Sequence, residues 1–371
     1  MRKMGVIRGA CLAVAAGAAA STAVAQESNG IRQTFDIQQR FEYGRNVDLE
    51  VPAEGSTTAT ATVLSYGLTS ETALDRLAFT ATGALVIENS PDTAGTEVEF
   101  DRPEVGFLYV REIPDALFSI SARYARDDVS ELAEDLADAD ADGTEIDYGV
   151  TLRYEGMRTS PASIFVEATF DGTEYEDTTD PTLIESDTFG IAVGTRLRLN
   201  EVLDGVFSLG AEREEEVTGT VDNRLVFRAG LEYEMIDGFA AVFLIREDGD
   251  VEDSTGLELD YTRELADGAL SFGLSYAESD EVGVAGTTVD TDIDIGWAQS
   301  VNDVSSITLA VSWAQSDTPA ERIEETELGA TYSYALTDRT RLDMGASYRV
   351  REDGAGRATS PEVFLALGRS F

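Results

Sequence analysis

Few residues of this 371-residue chain could carry acid–base, nucleophilic or metal chemistry, and the shortage narrows the field. There is no histidine; the one cysteine is Cys11 and the one lysine is Lys3. Without an imidazole there is no Ser-His-acid triad, no histidine general base and no imidazole metal site. Setting aside the first residues also removes thiolate and Schiff-base chemistry. Paired carboxylates, as in a glycosidase, are left in principle. With 71 acidic residues, though, almost any two can be paired on paper, so that signal selects nothing. An enzyme is not expected.

Two other patterns have chemical content. Asp138, Asp140, Asp142 and Gly143 have a DxDxDG spacing, which resembles the start of a calcium loop. Alternate carboxylates there converge on a hard cation and the glycine allows the sharp turn. The closing bidentate glutamate is missing, because Gly149 stands at its place, so an acidic solvated loop is the favoured reading and a Ca2+ site the alternative. The same segment offers a short amphipathic helix with Val129, Leu132 and Leu136 on one side. The second pattern is a set of arginines within alternating segments: Arg123, Arg153, Arg196, Arg198, Arg228 and Arg349, joined by Glu232. Their use depends on what positions them.

The elements that must do so begin after an export signal. Residues 1–25 have a basic head (Arg2, Lys3, Arg8), an Ala-rich apolar run and the small-x-small end Ala23-Val24-Ala25, which reads as a cleaved signal peptide. The remaining domain, 26–371, keeps all the acids and loses three of the 27 basic residues. Such negative charge repels nucleic acid and anionic surfaces, and it permits divalent cations. Hydrophobic content of 43% with regular alternation argues against disorder. No apolar run reaches the roughly 18 residues of a transmembrane helix.

Alternation of period two runs from residue 31 to the end. It predicts about 18 strands, at 31–43, 58–68, 75–87, 103–112, 116–126, 145–155, 162–171, 187–199, 205–213, 223–236, 239–247, 254–263, 268–278, 288–299, 304–315, 325–335, 339–351 and 361–371. If 31–43 lies outside the barrel and one other assignment fails, the number is 16. A hairpin repeats near the C-terminus at Asp267, Asp303 and Asp338, with Tyr276, Trp313 and Tyr348 near one rim. Short and long connections alternate, and the long ones hold the acids. Strands of about ten residues, apolar on one side and polar on the other, are the signature of an antiparallel transmembrane β-barrel with short periplasmic turns and long acidic extracellular loops. Closure is obligatory, since an open sheet edge in lipid leaves backbone groups unpaired. In 223–236, Leu225, Phe227, Leu231 and Tyr233 share one face, and Arg224, Arg228 and Glu232 the other. In 288–299, Ile293, Ile295 and Trp297 oppose Asp290, Asp292 and Asp294.

The chain ends EVFLALGRSF, and Phe371 is last. This resembles the closing strand of Gram-negative outer-membrane barrels, with Arg369 where an apolar residue is commoner. The resemblance implies a porin-like protein in the outer membrane of a Gram-negative bacterium. It also implies recognition of the Phe371 strand by the barrel-insertion machinery, and a homotrimer as in 16-stranded porins. Barrel enzymes of similar architecture use a histidine, which is absent here. The 127–144 connection joins the fifth and sixth strands, where porins carry an inward-folded loop. Its acids would then face the pore-lining residues Arg123, Arg153, Arg196, Arg198, Arg228, Glu232 and Arg349 across the channel; the equal alternative is that these arginines only neutralise lumenal acids in a plugged barrel. A barrel this wide is not filled by side chains. The expected function is passive diffusion of small hydrophilic solutes or ions, with cations preferred and no cofactor. The alternative is a plugged structural barrel whose acidic surface loops bind divalent cations.

Overall fold

The computed structural model describes residues 30–47, 49, 51–53, 55–89, 96–128, 143–176, 178, 183–281, 286–319 and 321–371. In chain order the strands of the first half are β1 (Ile31–Arg45), β2 (Ser56–Glu71), β3 (Asp75–Asn89), β4 (Glu97–Ile113), β5 (Ala116–Asp128), β6 (Thr144–Gly156), β7 (Ala162–Glu176), β8 (Ser186–Arg198) and β9 (Leu203–Glu216). The second half adds β10 (Val221–Met235), β11 (Gly238–Gly249), β12 (Glu252–Leu265), β13 (Gly268–Glu281), β14 (Thr287–Asn302), β15 (Ser305–Asp317), β16 (Arg322–Thr337), β17 (Thr340–Asp353) and β18 (Gly356–Ser370). Each strand pairs antiparallel with its neighbours in sequence, and β1 pairs with β18 to close an 18-stranded barrel. All 18 expected strands are present, including the first. Among the described residues no helix is long and apolar enough to cross a membrane.

One parity rule organises every strand. Large apolar side chains with high exposure share one face: Val150, Leu152 and Tyr154 on β6, Phe189, Ile191 and Val193 on β8, Leu225, Phe227, Leu231 and Tyr233 on β10. That face is the outside of the barrel. Phe189 and Leu209 are 57% and 60% exposed, which water would penalise and lipid does not. The other face converges on the axis, and its ion pairs reach across two strands: Arg123 on β5 to Asp171 on β7, and Arg228 on β10 to Glu258 on β12. A concave surface brings side chains two strands apart closer together.

The connections differ in one respect from expectation. Several acidic stretches continue as paired strand: β9 and β10 run to Glu216 and from Val221, β11 and β12 to Gly249 and from Glu252, and β17 and β18 to Asp353 and from Gly356. Charge does not end a ladder that has both partners. Two of these three hairpins turn at glycines with positive φ, Gly219 at +86° and Gly356 at +145°. The expected 129–136 helix lies outside the described residues.

At the opposite rim, which carries both termini, the β4–β5 turn is tied to the connection after β6. Thr159 Oγ1 donates to Asp115 Oδ1 at 2.6 Å and Thr159 N donates to the same oxygen at 3.2 Å. These two donors hold the Asp115 carboxyl below the usual carboxylate range, the hydroxyl contributing more. A depressed carboxyl favours the folded turn above its unfolded pKa, and that contribution fades as pH falls through the depressed value. In a carboxyl NMR titration Asp115 is expected to titrate below the ordinary value of about 3.9, and Thr159→Val to return it toward that value.

Candidate functional site

The pleat places Arg123, Arg153, Arg196, Arg198, Arg228, Glu232 and Arg349 on the inner face, because each shares the parity of the cross-strand ion pairs. Arg123, Arg153, Arg196, Arg228 and Glu232 are gathered on the wall formed by β5–β10. Arg198 is exposed at the last residue of β8, at the rim, and Arg349 is far away in strand order on β17.

Among the described residues the arginines meet carboxylates beside them. Arg153 Nη1 lies 3.2 Å from Glu167 Oε2, and its Nη2 3.8 Å from Glu155 Oε2. Ser163 Oγ donates to Glu155 Oε1 at 2.7 Å. Arg196 donates to both carboxylate oxygens of Glu232, one bond being very short, and reaches Asp204 at 3.4 Å. Arg228 Nη2 is 2.8 Å from Glu258 Oε2. Arg123 Nη2 reaches Asp171 Oδ1 at 3.2 Å by passing over Gly149, where a Cβ would stand 2.3 Å from Asp171 Oδ1 and 3.1 Å from Arg123 Nε. Gly149 is therefore the opening through which the pair forms. Toward the rim away from the termini, Arg224 bonds Glu214 and lies 3.4 Å from Asp222 and 3.6 Å from Glu247. Among the described residues the arginines are thus neutralised locally, one of the two arrangements expected from the sequence, while the acids of 129–142 expected to face them lie outside the described residues. Convergence on the concave wall makes the neighbouring acid the nearest one.

Three phenylalanines on this inner face were not anticipated. Phe165 and Phe243 are buried with Val206 and Ala241. Each ring covers a glycine of the next strand: a Cβ at Gly194 would stand 2.1 Å from Phe165 Cζ, and one at Gly230 2.2 Å from Phe243 Cδ1. Phe364 lies on Gly345 in the same way, at 2.2 Å. An arginine then stacks on each ring, Arg153 on Phe165 at 4.1 Å, Arg228 on Phe243 at 4.0 Å and Arg40 on Phe364 at 4.3 Å. The stack holds guanidinium groups flat along the wall. The signal for it was present in sequence. Phe165, Phe243 and Phe364 each sit inside an unbroken apolar run (Ile164–Val166, Ala240–Ile245, Val363–Leu367), where alternation fails because both faces are apolar.

The wall of β13–β15 is different. No arginine or lysine occurs between Arg263 and Arg322. The inner face of β14 presents Asp290, Asp292 and Asp294 in a column. Ser275, Ala277 and Gly273 flank it on β13, and Ser312, Ala314 and Ser316 on β15. Ser275 Oγ donates to Asp292 Oδ2 at 2.7 Å. The lumen thus has one wall of internally neutralised arginine–carboxylate pairs and another of small residues with a central row of carboxylates. Among the described residues no group of three or more His, Cys, Asp or Glu is arranged to hold a metal ion. Asp138, Asp140 and Asp142 lie outside the described residues.

A closed antiparallel barrel with an apolar outer belt and a charged lumen is a membrane-spanning channel architecture. Residues 203–355, from the start of β9 to just beyond β17, match the family described as Gram-negative porin. That segment, somewhat less than half of the chain, is thus similar to Gram-negative porins. No curated protein matches the sequence. Among solved structures, the chain is similar to OccAB4 of Acinetobacter baumannii, at 12% identity and TM-score 0.49 over 93% of this chain and 99% of that one. It is similar also to the outer membrane protein opdK of Pseudomonas aeruginosa, at 12% identity and TM-score 0.48 over 91% and 98%. A third is a BenF-like porin of Pseudomonas fluorescens Pf-5, at 8% identity and TM-score 0.49 over 92% and 99%.

Proposed function

We propose that this protein is a passive diffusion channel for small hydrophilic solutes or ions, that it prefers cations, and that it has no enzymatic activity. The observation that carries the preference is the arginine-free wall of β13–β15 with Asp290, Asp292 and Asp294 in its centre. Carboxylates that line a pore raise the local concentration of cations and repel anions. The arginines do not oppose this, because their charge is met by Glu155, Glu167, Asp171, Asp204, Glu232 and Glu258 on the same wall.

The folded protein in a planar bilayer under a salt gradient tests the reading. Stable conductance steps with a reversal potential of cation-selective sign are expected. An anion-selective sign would overturn the preference, and silence from inserted protein would overturn the open channel in favour of a plugged barrel. Phe371 supports a role in assembly. Its N–H donates to the Phe35 carbonyl at 2.9 Å, its ring lies 6.1 Å from that of Phe35, and the Phe371 strand is proposed as the segment read by the insertion machinery. A homotrimer and a Ca2+ site at Asp138, Asp140 and Asp142 stay proposals drawn from the sequence.

A further inference from the structure

The seam where β1 meets β18 is incomplete toward the extracellular rim. The β1–β18 register stops at Gly44↔Glu362, whereas β17 pairs with β18 as far as Asp353↔Gly356. Over residues 356–361 the edge of β18 that faces β1 therefore lies beyond the last seam rung. Asn46 and Val47, which follow β1, fold back into this region instead of rising from the rim. Gly44 has inner-face parity, and a Cβ there would stand 2.4 Å from Val47 Cγ1 and 3.0 Å from Glu362 Cγ. Val47 thus lies against the inside of the wall, in space that only a glycine leaves.

Three further contacts fix that course. Arg349 on β17 donates from Nη2 to the Val47 carbonyl at 2.7 Å and from the same nitrogen to Glu362 Oε1 at 3.0 Å. Asn46 Nδ2 is 3.5 Å from the Thr359 carbonyl of β18, on the stretch beyond the seam. Asn46 N donates to the Gly55 carbonyl at 3.0 Å and Leu49 N to the Asn46 carbonyl at 3.1 Å, which closes the connection on itself. Leu49 has φ +54° and is only 7% exposed. A bulky residue in the left-handed region is a strained conformation, held here by burial of its side chain.

We propose that Arg349 is a positioning residue for the pore: it pins the β1–β2 connection at Val47 against the inner wall, so that this connection covers the seam and narrows the extracellular mouth. This inference rests on the channel reading, and its first readout is independent of conduction. With Cys11 replaced, Leu49→Cys places a single thiol on the pinned segment, to be labelled by a water-soluble methanethiosulfonate in outer-membrane vesicles. Adding Arg349→Ala is expected to raise the labelling rate about tenfold, the population shift that follows loss of one charge-assisted hydrogen bond. Arg349→Lys is expected to restore protection, because both bonds come from one nitrogen and an ammonium can make both.

In the bilayer, Arg349→Ala should increase unitary conductance and Arg349→Lys return it toward wild type. Unchanged labelling in Arg349→Ala, with the barrel shown to be folded by its heat-modifiable gel mobility, would overturn the proposal. So would equal labelling in the alanine and lysine variants. Silence of every variant in the bilayer, with labelling changed as expected, would overturn the open channel but leave the pin in place.

Discussion

Leu244→Arg is expected to destabilise the inserted barrel by about 2–4 kcal/mol, the cost of a basic side chain on the lipid face near the bilayer midplane. Leu244 stands at the middle of β11, is 59% exposed, and has Ala229 and Leu257 as its cross-strand neighbours on the outer face. No carboxylate is among those neighbours, so the new guanidinium would have lipid around it. The contrasting change is Ala310→Arg on β15. Ala310 pairs with Gly296 and Gly329 on the inner face. An arginine there enters the lumen, close to the β14 carboxylates, and its effect on stability is expected to be small. Urea unfolding of both variants in lipid vesicles separates the two. A larger cost for Ala310→Arg would mean that the inner and outer faces have been exchanged, and equal costs that the two faces do not differ in their surroundings.

The double change Asp292→Asn with Asp294→Asn is expected to have the largest effect on transport. Each carboxylate acts on a passing cation over several ångströms of water. Two of them together change the preference for cations over anions by a factor of roughly 3–10 at low salt, and by less as the Debye length shortens. The reversal potential in a salt gradient should therefore move toward zero while the number of open channels is unchanged. The two aspartates project from neighbouring inward positions between the small residues Gly273 and Ser275 on one side and Ser312 and Ala314 on the other. Asparagine keeps their volume, so a change in selectivity without a change in conductance at high salt would isolate charge from size. An unaltered reversal potential would remove the β14 column from the account of selectivity.

The barrel was legible in the sequence because one rule, the period-two pleat, governs nearly every residue from Ile31 onward. A strand whose register slips by one would send its apolar set into water, so alternation such as that of Leu225, Phe227, Leu231 and Tyr233 specifies both the strand and its facing. Assignment of Arg228 and Glu232 to the inner face follows from the same rule. The partners do not. Arg196 and Glu232 belong to strands two apart, and only the closed curvature of the wall brings them together. Unbroken apolar runs mark the rings Phe165, Phe243 and Phe364, but their pairing with Gly194, Gly230 and Gly345 was not readable, for a related reason. Each needs a ring and a gap from adjacent strands at one height, and period two says nothing about height. Acidity was read as loop, which misjudged Glu214–Glu216 and Glu352–Asp353. Carboxylates at a solvated rim are tolerated by a ladder whose backbone bonds are already made. The proposed pinning of Val47 comes from Arg349, some three hundred residues away, and no local pattern announces it.

In the proposed outer-membrane orientation, the continuation of paired strand beyond the apolar belt has a consequence at the cell surface. Where β9–β10, β11–β12 and β17–β18 meet, the protein ends in two- to four-residue turns on hydrogen-bonded hairpins. A protease needs an extended, unpaired stretch of chain in its cleft, and these hairpins offer it almost none. An antibody raised against a linear peptide from the same stretches would meet alternate residues facing opposite ways. Recognition from outside on this side of the barrel is therefore recognition of a folded acidic parapet, sensitive to shape and to ionic strength more than to the order of residues along the chain.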